Sequence, residues 1–150
     1  MKTKTYLILL IAFVFACSTL KSQNNEKTED WQQYKELNGV LIYYKYQEYH
    51  SEIEGLHQEF LLLKIVNTTN TKHKVMWDIE LWYDDKCTTC DKNFYDENHR
   101  EFILDEGDSF EGSFKKDSNW NLKIFSKFLN YENIPELTKF ELTNLIVEPL

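Results

Sequence analysis

Two different hydrophobic periods stand side by side between Phe60 and Cys90, and together they restrict the chain to a β fold. From Phe60 to Val66 the sequence is almost continuously apolar, broken only by Lys64, over a length that suits a strand buried on both faces. From Val75 the pattern alternates. Val75, Trp77, Ile79, Leu81 and Tyr83 fall on one face, and Met76, Asp78, Glu80, Trp82 and Asp84 on the other, which marks a half-buried strand. The polar connection from Asn67 to Lys74 predicts a hairpin turn, because Asn tolerates the left-handed conformation and bonds local backbone. The two strands are therefore expected to pair antiparallel.

At the start of the chain, Lys2 and Lys4 precede an apolar segment from Tyr6 to Ala16, followed by small and polar residues through Ser22. This is the form of an export signal for the Sec pathway, too short to span a bilayer permanently. Two processing routes compete. Ordinary cleavage after Ser22 would release residues 1–22 and a periplasmic or secreted protein beginning at Gln23. Alternatively, Val14-Phe15-Ala16-Cys17 resembles a lipoprotein box, although Phe15 departs from its preference for a small residue, and Cys17 would then carry a lipid anchor. Residues 23–30 read as a polar linker, and residues 31–150 as one domain with one core.

Removing the signal leaves 14 of the 17 basic residues against all 25 acidic ones, a mature net charge of −11. An acidic surface without a basic run argues against nucleic acid as a partner. No later segment has the length and apolarity of a transmembrane helix.

The remaining chain supplies more strands. Val40, Ile42, Tyr44 and Tyr46 alternate with an outer set that includes Tyr43 and Tyr49, after an Asn38-Gly39 turn signal. Trp31, Tyr34 and Leu37 have helical spacing in a piece short enough to be a lead-in to that strand. Phe102 to Leu104, the turn Asp105-Glu106-Gly107-Asp108, and Phe110, Gly112 and Phe114 predict a second hairpin. Leu122–Leu129 and Lys139–Val147 are predicted as strands able to pair with each other. Within the last, the inward set passes from Phe140 and Leu142 to Leu145 and Val147, so an extra residue near Asn144 predicts a β-bulge.

About seven short strands separated by turn signals suggest an all-β, immunoglobulin-like antiparallel sandwich, with Trp77 counted on its third strand. The segments IVNTT, WDIELWYDDKC, LDEGDSFEG and LTKFELTNLIV resemble those of small exported immunoglobulin-like proteins of unknown function from Gram-negative bacteria. That resemblance covers most of the mature chain. It implies the fold and brings no activity with it.

Cys87 and Cys90 are the chemistry candidates. Their spacing fits a turn that a local disulfide can close in an oxidising compartment, which is the expected state. The rival is a thiol-disulfide oxidoreductase, but its reactive thiol sits at a helix start, whereas Asp84, Asp85 and Asp91 should disfavour a thiolate here. A weaker metal alternative combines Cys87, Cys90 and His99 with Asp91 or Asp96. Asp105, Glu106 and Asp108 fit a solvated turn better than a calcium loop, and Asn67-Thr68-Thr69 matches a glycosylation pattern as well as a turn.

The binding candidates are aromatic. Trp82 shares a face with Asp78 and Glu80, while Tyr43 and Tyr49 lie on the outer face of the first predicted strand. Such surfaces dock proteins or stack on sugars, although a buried Trp82 is the competing expectation. No nucleophile–base motif or phosphate loop is visible, and the four histidines fall in loops or at strand ends. The expected function is a non-catalytic interaction or structural module of the cell envelope. It needs no cofactor, is monomeric or weakly associating, and has a protein or glycan partner. An envelope thiol- or metal-handling protein and a carbohydrate-binding module are the alternatives.

Overall fold

A computed structural model describes residues 27–90 and 95–150. The signal segment, Cys17 and the start of the linker lie outside the described residues. Two antiparallel sheets form the domain, one curled into a half-barrel. In the first sheet β1 (Gln32–Leu37), β2 (Val40–Ser51) and β3 (Leu56–Asn67) lie in order. The far edge of β3 is shared by β7 (Ser109–Glu111) and β8 (Lys123–Phe128). In the second sheet β4 (His73–Tyr83) is central, flanked along its whole length by β9 (Leu137–Pro149). Its other edge is shared by β5 (Lys86–Cys87) and β6 (His99–Leu104). Helix is confined to single turns at Tyr95–Asn98 and Trp120–Leu122 among the described residues.

The alternation in β2 and β4 fills the space between the sheets. Val40, Ile42, Tyr44 and Tyr46 meet Val75, Trp77 and Ile79 in one buried cluster. β3 is covered on both sides at Leu61, Leu62 and Leu63, as its apolar run requires. The bulge at Asn144 is present: Met76 faces Ile146 and Asp78 faces Thr143, so two residues of β9 oppose Trp77. Asn144 takes the left-handed backbone (φ 50°) that this insertion demands.

Three expected pairings are corrected. β3 and β4 belong to different sheets, so Asn67–Lys74 is an arch across the end of the molecule and not a hairpin turn. Leu104 to Ser109 is a second arch, because β6 pairs with β4 and β7 with β3. β8 and β9 likewise pair with β3 and β4 and not with each other. The physical reason is shared by all three. Inward residues of β3 and β4 face one another across the core, and a polar turn can lead equally to the neighbouring or the opposite sheet.

Asn67 joins the two arches. Its amide nitrogen donates to the carbonyls of Thr71 (2.7 Å) and Asp105 (2.9 Å), and its oxygen accepts from the Thr69 backbone and hydroxyl. Its own N–H reaches the Asp108 carbonyl. With 1% of its surface exposed it offers nothing to a glycosyl transfer in the folded protein. Gly39 abuts the same end at φ 76°, where a Cβ would lie 2.3 Å from the Thr69 methyl group.

The segment Trp31–Leu37 resolves as a strand. Tyr34 is an extra residue between the pairs Gln33/Tyr43 and Lys35/Ile42, so Tyr34 and Leu37 both turn toward the core. That bulge produces the spacing of three that imitates a helix. It also makes β4 the fourth strand, so Trp77 does not sit on the third. Residues 27–30 are bound to the domain: the Thr28 carbonyl accepts from Tyr46 N–H, and Lys27 pairs with Glu59 and Glu136.

Candidate functional site

The outward residues of β4 form the centre of a polar strip across the second sheet. Register places Trp82 between Cys87 of β5 and Lys139 of β9, and Glu80 opposite Glu141. Asp78 lies between His99 and Thr143. Trp82, Asp78 and Glu80 thus share one surface with the cysteine pair at its rim. Tyr43 and Tyr49 stand on the other sheet. There the Tyr49 ring packs 4.8 Å from Phe114, which also covers Phe60, so Tyr49 belongs to a local aromatic cluster.

Trp82 is half-buried, and the Lys139 ammonium sits 4.1 Å from its ring centre. Lys139 in turn pairs with Glu141 at 2.7 Å. Glu80 and Glu141 are like charges directly opposed, an arrangement that costs free energy unless a cation lies nearby.

The Asp78 carboxylate is held below the usual carboxylate range. The main cause is a 2.8 Å hydrogen bond from the Asn144 amide, with a further contribution from His99 Nδ1 at 2.8 Å. Because the folded value is depressed, the stabilisation is fully present above the unfolded carboxylate pKa. It is lost as pH falls through the folded value. A carboxyl NMR titration should therefore find Asp78 titrating below the exposed carboxylates, and Asn144→Ala should move its midpoint upward.

Cys87 and Cys90 lie at disulfide distance, their Cα atoms 5.7 Å apart. Their loop completes an edge. β5 ends opposite Trp82 and β6 begins opposite Asp78, which leaves Ile79 to Leu81 without a strand partner on that side. Thr88 donates to the Leu81 carbonyl from both its N–H and its hydroxyl. The Thr89 hydroxyl accepts from Leu81 N–H and donates to the Ile79 carbonyl. Two threonines thereby stand in for a missing strand.

The acids around the sulphurs differ from expectation. Asp84 and Asp85, with φ of 47° and 61°, are the two loop residues of a tight β4–β5 hairpin. The Asp84 carboxylate accepts from Glu136 N–H. Among the described residues, a Glu80 carboxylate oxygen lies 3.6 Å from Cys90 Sγ, and sequence spacing alone did not single it out for that role. The register of β4 against the loop brings it there.

His99 is engaged with Asp78, and Asp91 lies outside the described residues. Among the described residues no three of His, Cys, Asp or Glu form a group able to hold a metal ion. At the arch, Asp105 pairs with Lys72 at 2.7 Å and the Asp108 carboxylate accepts from Asp105 N–H, so these acids are occupied in the turn. Among the described residues no helix is long and apolar enough to cross a membrane. No protein-family model, curated protein or solved structure matches the chain.

Proposed function

We propose that the chain is an exported, non-catalytic interaction module of immunoglobulin-like architecture. Its partner is an envelope protein presenting Lys or Arg side chains to the outer face of the second sheet. The observation that carries this is the opposed pair Glu80 and Glu141 between Trp82 and Asp78. The central strand β4 and its neighbour β9 together present three carboxylates and one large aromatic on a single surface, the combination that a basic, partly apolar partner complements. The mature charge of −11 favours the same partner through long-range attraction.

The cysteine loop supports a structural role over thiol exchange. Its threonines are committed to the β4 backbone, and Glu80 beside Cys90 opposes a thiolate. A glycan reading requires a free ring face, and Lys139 covers one face of Trp82.

The test is a photo-crosslinking residue placed at Lys139 or, separately, at Tyr43, in the producing cell. Adducts of one defined mass at Lys139 and none at Tyr43 are expected, and Glu80→Gln with Glu141→Gln should diminish them. Adducts only at Tyr43, or none at either position, would overturn the assignment. Replacing Cys87 and Cys90 by Ser should cost about 2 kcal/mol or less, because so small a loop gains little from closure, and the adduct should persist.

A further inference from the structure

The β2–β3 hairpin turns through Glu52 to Gly55, and its register sets His50 opposite His57. The two imidazoles meet edge to edge, with Nδ1 of one 2.9 Å from Nδ1 of the other and their planes inclined by 54°. Behind His50, Nε2 lies 3.1 Å from a Glu48 carboxylate oxygen. A carboxylate only accepts, so Nε2 of His50 carries a proton, and the neutral ring leaves its Nδ1 lone pair directed at His57. His50 is half exposed, with 50% of its side chain open to solvent. The pair lies outside the hydrophobic core cluster.

We propose that His50 and His57 form a cis-chelating site for a divalent transition-metal ion of the copper(II) or nickel(II) class. Two nitrogens 2.9 Å apart, each about 2.0–2.1 Å from a common ion, subtend an angle of about 90° at it. That is the cis angle of a square-planar or tetragonal centre, whereas a tetrahedral ion holds its nitrogens about 3.3 Å apart.

Without metal, the space between the rings holds the proton that links the two Nδ1 atoms. For the ion to enter, His57 gives up that proton at Nδ1 and takes one at Nε2, a change of tautomer without change of charge. A small turn of the exposed His50 ring and the half-buried His57 ring then aims both lone pairs at one point. Glu48 fixes the tautomer and orientation of His50 from behind, as carboxylates do at histidine–metal sites. Water completes the coordination. On its Glu48 side, His50 borders a groove of about 360 Å³ that Glu29 and Lys45 also line.

The test is titration of copper(II) chloride into the full chain in a non-coordinating buffer at neutral pH, followed by electron paramagnetic resonance. One bound ion with hyperfine coupling to two imidazole nitrogens is expected. His50→Asn and His57→Asn should each abolish the two-nitrogen signal. Glu48→Gln should weaken binding by about tenfold or more while keeping both nitrogens. Unchanged thermal unfolding of the metal-free variants shows that each is folded. Coupling to a single nitrogen, or a signal indifferent to His57→Asn, would overturn the site. A signal lost in His99→Asn instead would do the same.

Discussion

Trp77→Ala is expected to lower the unfolding free energy by about 4 kcal/mol, seen as a lower urea midpoint and a melting temperature lower by roughly 15 °C. Trp77 is fully buried, stacks on Phe102 with ring centres 5.1 Å apart, and faces the bulge of β9. Truncation leaves a cavity that neither sheet can close, since the central strand is held by β6 on one edge and β9 on the other. A domain whose whole stability is about 5–15 kcal/mol loses a large share of it. Trp77→Phe separates two contributions. The indole Nε1 is buried with no hydrogen-bond partner, so Phe forfeits volume but removes a desolvated donor. Its expected cost is about 1 kcal/mol, because most of the ring volume is kept and the unsatisfied donor is gone, and equal losses for Ala and Phe would contradict a cost that scales with the cavity left behind.

Asn67→Ala should cost about 3 kcal/mol without leaving a large cavity. It strands the backbone N–H of Thr69 at a position with 1% exposure, and takes one donor each from the Thr71 carbonyl, which keeps His73 and the Thr69 hydroxyl, and the Asp105 carbonyl, which keeps Asp108 N–H. Asn67→Asp retains the acceptor and loses both donations while bringing a negative charge toward two carbonyls, so it should cost at least as much. Hydrogen exchange gives the readout that distinguishes this loss from a general softening. Amides of both arches, around Thr69 and Asp108, should exchange faster, while those at the middle of β2 and β3 keep their protection. Uniform loss of protection would contradict the role of Asn67 as the join between arches.

The strands and their inward faces were legible because burial writes a period of two into the side chains. The faces of β2 and β4 and the bulge at Asn144 all follow from that period. Partners were not legible. An inward Val or Trp carries the same pattern whichever strand lies beside it, and Asn, Thr and Gly serve an arch as well as a hairpin. Hence β3 and β4 read as neighbours while the structure sets them in facing sheets. β1 was obscured for a related reason, since one bulged residue, Tyr34, turned a strand period into an apparent helical one.

The surface around Trp82 was half legible. Its common face with Asp78 and Glu80 follows from alternation, but Glu141, Lys139 and the cysteines arrive through pairings between distant segments. His50 and His57 carried a weaker signal. They stand symmetrically about Glu-Ile-Glu-Gly, and the exact register of the hairpin was needed to bring them together.

The order in which β4 acquires its neighbours also bears on the passage of this chain through any narrow opening, N-terminus first. β2 and β3 can zip together across a short loop, but β4 borders only fragments until β9 arrives from some sixty residues further on. Closing so long a loop is entropically expensive and slow. The second sheet therefore stays open until residues 137–149 have emerged, and the chain remains threadable for nearly its whole length.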